Sequence, residues 1–387
     1  MTMNFHEPVE RAELRKAAFE LASSFGHEYY LKQARSGGKT NELWDEAGRL
    51  GYLGVNLPEE YGGGGAGIAD LAAVLEEFAA AGAPLLLMVV SPAICGTVIS
   101  RFGTESQKKH WLPGIADGTT KMVFAITEPD AGSNSHKITT TAQRDGSEWV
   151  LNGRKVYISG VDEADAVLVV SRTEDAKTGK LKPALFIVPT DSPGFEYRQI
   201  EMDLVSPEKQ FSLFIDDVHL PAEALVGDED AAIAQLFAGL NPERIMGASF
   251  SLGIARYALD KGVNYAKERQ VWGAPIATHQ GLAHPLAAVK IELELAKLMT
   301  QKAGSLYDSG DDFNAGEAAN MAKYAAAEVA IHAVDQAVQT HGGNGLASEY
   351  GLGTLVGAVR LGRIAPVSRE MVLNFVGQHS LGLPKSY

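Results

Sequence analysis

Glu243 and Arg244 stand side by side in NPERIMG, residues 241–247, an otherwise apolar stretch. A carboxylate in such surroundings could serve as a general base, removing a proton from a bound molecule. Asn241–Pro242 also reads as a helix N-cap followed by proline at the first helical position. An acid in that first turn is favoured by the helix dipole. On local sequence alone the capping role is preferred.

Other stretches could contact a ligand. In FAITEPDAGSN, residues 124–134, a strand ends at Thr127 and a turn of small polar residues follows. Such a turn can aim backbone N–H and hydroxyl groups at an anionic or heteroaromatic ligand, or be an ordinary strand end. KERQVWG, 267–273, closes a helix with a basic residue and an indole, the parts needed to hold pyrophosphate or stack on a ring. It could equally be a helix C-terminus with a favourably placed arginine. The paired glycines of THGGNG, 340–345, either cap a helix or allow close backbone approach to a ligand.

Several chemistries are excluded. GGGGAG, 62–67, formally satisfies GxGxxG, but a dinucleotide turn needs a βαβ unit around it, so a flexible loop is expected and a Rossmann fold rejected. The 10 histidines show no metal-ligand spacing, and GASFS, 247–251, fails as a nucleophile elbow. Cys95 is the 1 cysteine and lies in apolar PAICGTVIS, which reads as a buried structural thiol. A net charge of −14 argues against nucleic acid as the main ligand. The first residues, MTMNFHEPVERAELRK, lack an apolar signal core, and PLLLMVVSPAICGTVIS is broken at Pro92 and falls short of the ~20 residues of a membrane span. A cytoplasmic location is therefore the expectation.

The elements that must position these residues fall into three textures. From about 10 to 117, ELRKAAFELASSF, LWDEAGRLGYLG and IADLAAVLEEFAAAG carry helical periodicity. From about 120 to 228, short β-branched and aromatic runs separated by DG, NG, KTGK and SPG turns suggest a compact antiparallel barrel or sandwich. From about 230 onwards, AAIAQLFAGL, ERIMGASFSLGIARYALDKGVNYAKERQ, LAAVKIELELAKLMTQKAGSLY and GEAANMAKYAAAEVAIHAVDQAVQ suggest four helices of a bundle.

Taken in order, PEEYGG, FAITEPDAGSN, KVYISG, ERQVWGAPIATHQ and QTHGGNG resemble the acyl-CoA dehydrogenase family over nearly the whole chain. The resemblance implies an α+β fold: an N-terminal all-α domain (1–119), a middle β-barrel or sandwich domain (120–229) and a C-terminal four-helix bundle (230–387). It further implies non-covalent FAD and a homotetramer built as a dimer of dimers. The implied reaction oxidises an acyl-CoA to the trans-2-enoyl thioester, with electrons passing to an electron-transfer flavoprotein.

By that resemblance, Phe124, Ile126, Thr127, Gly132 and Ser133 match the strand and turn that meet the flavin, Ser133 also lying by the substrate. Tyr157 and Ser159 stand where the family commonly has Trp and Thr, keeping an aromatic face and a hydroxyl. Arg269, Trp272 and Gln280, with Gln339, Gly342 and Gly343 of a neighbouring subunit, match residues that hold the FAD pyrophosphate and adenosine. Ser368 and Glu370 match positions near the FAD.

The chain departs from the family at IAPVSREM, 364–371, where Pro366 occupies the position of the usual catalytic glutamate. Proline cannot take a proton, and it lacks the N–H that usually helps hold the thioester carbonyl. Either Val367 supplies that N–H or the carbonyl is held differently. A minority, typified by the isovaleryl and long-chain enzymes, carries the base on the first long bundle helix, and Glu243 matches that position. The resemblance therefore reverses the local preference and makes Glu243 the expected base, its pKa raised by desolvation. Arg244 matches an arginine that positions the CoA-bearing substrate, with Asn241 beside it. Two alternatives stay open: a non-catalytic subunit of a mixed oligomer, and a flavin oxidase or monooxygenase on the same fold.

Overall fold

The computed structural model describes residues 7–175, 178–227 and 232–385. The expected boundary at 229/230 and the first six residues of the chain lie outside the described residues. The N-terminal part is helical: α1 (Val9–Ser36), α2 (Asn41–Arg49), α3 (Ile68–Ala80), a π-helical segment (Val89–Gly96), α4 (Thr97–Phe102) and α5 (Glu105–Asp117). α3 is buried almost throughout because its sequence is apolar apart from Asp70 in the first turn, which is partly exposed, and Glu76 and Glu77. The Glu76 and Glu77 carboxylates are met by Arg15 at 2.9 Å and by Arg256 at 2.9 and 2.7 Å.

Two local expectations are corrected here. Pro92 does not break the chain's course. It sits inside the π-helical segment, whose wider turn tolerates a residue without an N–H. GGGGAG is not a slack loop, because Gly64, Gly65 and Ala66 donate to the carbonyls of Gly54, Leu57 and Val55 at 2.9, 2.8 and 3.0 Å.

The middle part contains β1 (Met122–Ala125), β2 (Thr141–Asp145), β3 (Glu148–Ser159), β4 (Ala166–Glu174), β5 (Leu181–Pro189), β6 (Phe195–Ile200) and β7 (Gln210–Pro221). They form one curled sheet in the order β1-β4-β2-β3-β7-β6, with β5 also on β4. The ladders β2–β3, β3–β7, β4–β5 and β6–β7 are antiparallel, but β1 runs parallel to β4, so the sheet is mixed. Parallel neighbours need a long crossover, and residues 126–165, including the β2–β3 hairpin, provide it.

The last part comprises α6 (Ala232–Glu268), a hairpin of β8 (Gln270–Val271) and β9 (Ala274–Pro275), α7 (Gln280–Asp308), α8 (Asp312–His341), α9 (Leu352–Ile364) and α10 (Arg369–Phe375). The two helices read on either side of Asn241–Pro242 are one continuous helix, α6. The fourth bundle member is instead α9, from a stretch the periodicity reading passed over. Alanines along the buried face of α8, among them Ala319, Ala322, Ala326, Ala330 and Ala333, let its neighbours approach closely. The bundle is locked to the N-terminal part by Asp308, which accepts the otherwise unpaired N–H groups of Ile68 and Ala69 at 2.8 and 3.0 Å. Among the described residues, no helix is long and apolar enough to cross a membrane.

Candidate active site

Glu243 lies inside α6, not at its start, so the capping role has no helix end to cap. A proline at 242 deprives the Ala238 carbonyl of its usual i+4 partner. That carbonyl accepts a hydrogen bond from Tyr307 Oη at 2.8 Å instead, which lets the helix run on. Arg244 Nη1 donates to Leu240 O at 3.0 Å and reaches Asn241 Oδ1 at 3.5 Å. Asn241 Nδ2 in turn reaches the Asp312 carbonyl at 3.4 Å. Asn241 and Arg244 are therefore held by bonds local to α6 and the start of α8, with Glu243 in the same helical turn. Arg244 Nε is buried without a hydrogen-bond partner among the described residues, a donor left for a ligand.

The environment of Glu243 is assembled from distant parts of the chain. Cys95, fully buried in the π-helical segment, lies near enough for the Glu243 charge to add to the burial that pushes its thiol up. Gly247 follows Glu243 by one helical turn, and a Cβ there would lie 3.4 Å from Pro366 Cδ. The turn between α9 and α10 thus packs directly on this face of α6, where Gly247 leaves it room. Lys323 of α8 donates from Nζ to the Val367 carbonyl, so Val367 is gripped by its oxygen. Ser368 caps α10 by accepting from Met371 N at 3.3 Å, with Glu370 in that helix's first turn. Glu243 is not fully covered, yet burial pushes its carboxyl up to about 7. The positive charges of Arg244 and Lys323 oppose that rise without cancelling it.

A second group sits on the β-sheet. Phe124 is in β1, with Ile126 and Thr127 just beyond it and Gly132 and Ser133 exposed on the turn. The turn is anchored by an ion pair that sequence reasoning missed. Lys155 Nζ donates to Ile126 O at 3.0 Å and to Glu128 Oε1 at 2.9 Å. Glu128 also accepts from Thr139 and Thr140, backbone and hydroxyl alike, within 2.5–2.9 Å. Burial pushes both Glu128 and Lys155 towards neutrality. The Thr140 bond and Lys155 nevertheless bring Glu128 down to about 2, while Lys155 falls to about 8. The sequence signal was slight, a lysine just before the apolar end of a strand, Val156 to Ile158.

Next to this pair, β3 bulges between Lys155 and Ile158, and Val156 N turns to Thr127 O at 3.0 Å. The bulge turns Tyr157 outward at φ 59°, leaving it 59% exposed. Ser159 Oγ exchanges hydrogen bonds with the Gln210 amide at 3.1 and 2.9 Å.

The third group lies at the far end of the bundle. Trp272 and Gly273 form the two-residue turn of the β8–β9 hairpin, both at positive φ. That turn favours Asn-Gly, so a tryptophan there holds a strained backbone while its ring is 90% exposed. The Arg269 carbonyl accepts from Ile276 N at 2.8 Å across the hairpin, and Gln280 opens α7. Gln339 lies in the last turn of α8 and Gly342 and Gly343 just past its end, joined to this corner by Tyr265, which stacks on His341 at 4.1 Å and accepts from Asn344 at 3.0 Å. Both glycines face open space. Along α6 the corner is about 38 Å from Glu243, taking 1.5 Å per residue to Glu268. One chain therefore does not bring the third group to the first.

A groove of about 570 Å³ between α6 and α7, floored by Leu259, Val263 and Leu286, begins at Arg256, about 20 Å along α6 from Glu243. It shares no residue with the groups above.

Sequence models of three domains match the chain: Acyl-CoA dehydrogenase, N-terminal domain (residues 9–119), middle domain (123–218) and C-terminal domain (233–381). The chain is 69% identical over 384 residues to a Mycobacterium tuberculosis protein named Acyl-CoA dehydrogenase FadE12, covering 99% of each. Its fold matches that of a glutaryl-coenzyme A dehydrogenase solved with glutaryl-CoA, with a TM-score of 0.94 and 27% identity over 99% of this chain and 98% of that one. Butyryl-CoA dehydrogenase from Megasphaera elsdenii gives a TM-score of 0.91 at 28% identity, over 98% of this chain and 100% of that one.

Proposed function

The chain belongs to the acyl-CoA dehydrogenase family, and from that premise we propose that it oxidises an acyl-CoA thioester to the trans-2-enoyl-CoA with Glu243 as the base. The observation that supports the assignment is a desolvated carboxylate on α6, one helical turn before the glycine that packs against Pro366, which by the resemblance stands where many relatives carry the catalytic glutamate. The Glu243 carboxylate takes the proton from Cα, a hydride leaves Cβ, and the Cα–Cβ double bond forms from the remaining electron pair. With its carboxyl at about 7, Glu243 can take that proton and return it to solvent near neutrality. The unpartnered Arg244 Nε, with Asn241 beside it, fits a role in holding the CoA-bearing substrate.

The residues fit FAD. Tyr157 and Trp272 expose aromatic faces on strained backbone, and Gly132, Gly342 and Gly343 leave room for close approach. Bound FAD would supply the hydride acceptor, its N5. Phe124, Ile126, Thr127, Gly132, Ser133, Tyr157, Ser159, Ser368 and Glu370 would meet the flavin end, with Ser133 also near substrate. Arg269, Trp272, Gln280, Gln339, Gly342 and Gly343 would hold the pyrophosphate and adenosine. The span of α6 between the first and third groups supports drawing part of this site from a second copy. By the family resemblance the assembly is a homotetramer, each chain divided into domains at 119/120 and 229/230. Electron-transfer flavoprotein in the cytoplasm completes the reading.

The test mixes purified protein anaerobically with short, long, branched and steroid-type acyl-CoAs while flavin absorbance is followed, with Glu243→Gln in parallel. Bleaching by some thioesters that is lost in Glu243→Gln, with FAD retained, is the expected result. Undiminished bleaching in the variant would refute Glu243 as base. Pro366 favours the non-catalytic subunit as the second reading, and purification of the chain without FAD would put it first.

A further inference from the structure

Lys323 is the most deeply buried cation near Glu243, 2% exposed on the alanine-rich face of α8. Its ammonium has one hydrogen-bond acceptor among the described residues, the Val367 carbonyl. The turn carrying Val367 leans on α6 through Pro366 and Gly247, one helical turn from Glu243. Lys323 thus touches, through a single carbonyl, the segment that walls the proposed base.

The charges around it are few. From α6 come Glu243 and Arg244, from α10 Glu370, and from α8 itself Glu328. Glu328 is already engaged by Arg363 at 2.9 and 2.5 Å and by Arg369 at 3.6 Å. Cys95, facing Glu243 from the π-helical segment, is a neutral thiol. Within this set, Lys323 and Arg244 are the cations acting on Glu243, and Arg244 is held on the same helix by its own backbone.

We propose that Lys323 is a positioning residue, holding the 365–368 turn against α6 and supplying part of the positive field that keeps Glu243 ionised and competent as a base. The proposal rests on Glu243 being the base. A tether alone would act through geometry and be indifferent to pH. A tether that is also a field would move the acid limb of the reaction.

Removing the Lys323 charge disfavours the Glu243 carboxylate, so its pKa rises and the acid limb of kcat/KM for flavin bleaching moves upward. A move of about one pH unit, from about 7 to about 8, lowers kcat/KM at pH 7 roughly fivefold and leaves it nearly unchanged at pH 9. Near-equality at pH 9 is expected because burial brings Lys323 down to about 8, so the wild type has also lost that charge there.

The experiment measures this profile for wild type, Lys323→Met, Lys323→Gln and Lys323→Arg as FAD-loaded proteins, using the panel thioester that bleaches the wild type fastest. Melting of each protein with and without Glu243→Gln is followed at pH 8. Lys323→Met should show the raised limb, and the melting gap opened by adding Glu243→Gln should be wider than in the wild-type background. Lys323→Arg should restore the wild-type limb. Lys323→Gln, polar and uncharged, decides in the same way if Lys323→Met fails to hold flavin. An equal loss at every pH would overturn the proposal. So would collapse of both uncharged variants while Lys323→Arg folds, since either outcome leaves Lys323 a purely structural role. If Glu243→Gln bleaches as fast as wild type, or wild type bleaches with no thioester, the base assignment fails first and takes the proposal with it. An unmoved limb beside an inert Glu243→Gln sinks the Lys323 proposal alone.

Discussion

Glutamine at 243 keeps the shape of the side chain and removes its charge, which isolates the electrostatic cost of holding a carboxylate there. Burial lifts the carboxyl from 4.5 to about 7, so between those values the folded chain binds more protons than the unfolded one. Wild-type stability must then fall as pH rises through that window and level off above it. At about 1.4 kcal/mol per pH unit, the cost is on the order of 3 kcal/mol at pH 8 and under about 1 kcal/mol at pH 5. Glu243→Gln should therefore melt above wild type at pH 8, by roughly 3–4 °C for a chain of this length, and nearly level with it at pH 5. The assay is thermal melting of both FAD-loaded proteins at the two pH values. The same ionisation should raise wild-type kcat/KM about tenfold from pH 6 to pH 8, following the carboxylate fraction. A stability gap that ignores pH, or a flat rate profile between 6 and 8, would show that Glu243 is not held as a desolvated acid.

Other perturbations test the scaffold. Lys155→Met strands the Glu128 carboxylate, whose partner at 2.9 Å is lost, and should cost roughly 3–5 kcal/mol and lower FAD content, read by melting and by the flavin-to-protein absorbance ratio. Tyr307→Phe leaves the Ala238 carbonyl without its 2.8 Å donor, and a loss of about 1–3 kcal/mol is expected in denaturation. Gly253→Ala would put a Cβ 2.4 Å from both Ala79 Cβ and Glu76 O where α6 crosses α3. Overpacking by about 1–3 kcal/mol should follow, seen as a lower melting temperature.

The three-part architecture was legible in the sequence because each texture is a local property. Helical periodicity marked α3 and α7, and β-branched runs between turns marked β1, β3, β4, β5 and β7. What failed was also local in origin. Asn241–Pro242 carries every sign of a helix start, yet the helix passes through it because Tyr307, from α7, satisfies the carbonyl that proline orphans. Likewise α9, which the periodicity reading missed, is helical as part of the bundle, with Leu352, Leu355 and Val359 buried there.

Within the candidate site the division is the same. Residue types and order alone singled out Glu243, Arg244, the EPDAGSN turn, Trp272 and the paired glycines, while the weight given to Pro366, and to Glu243 over a helix cap, came from the family resemblance. Tertiary structure decided what those residues can do. Glu243 owes its raised pKa to burial beside the π-helical segment and the turn at Pro366, and Lys323 reaches that turn from 44 residues before Val367 in the chain. A carboxylate's acidity depends on the water and charges around it, and those are set by packing between segments remote in sequence.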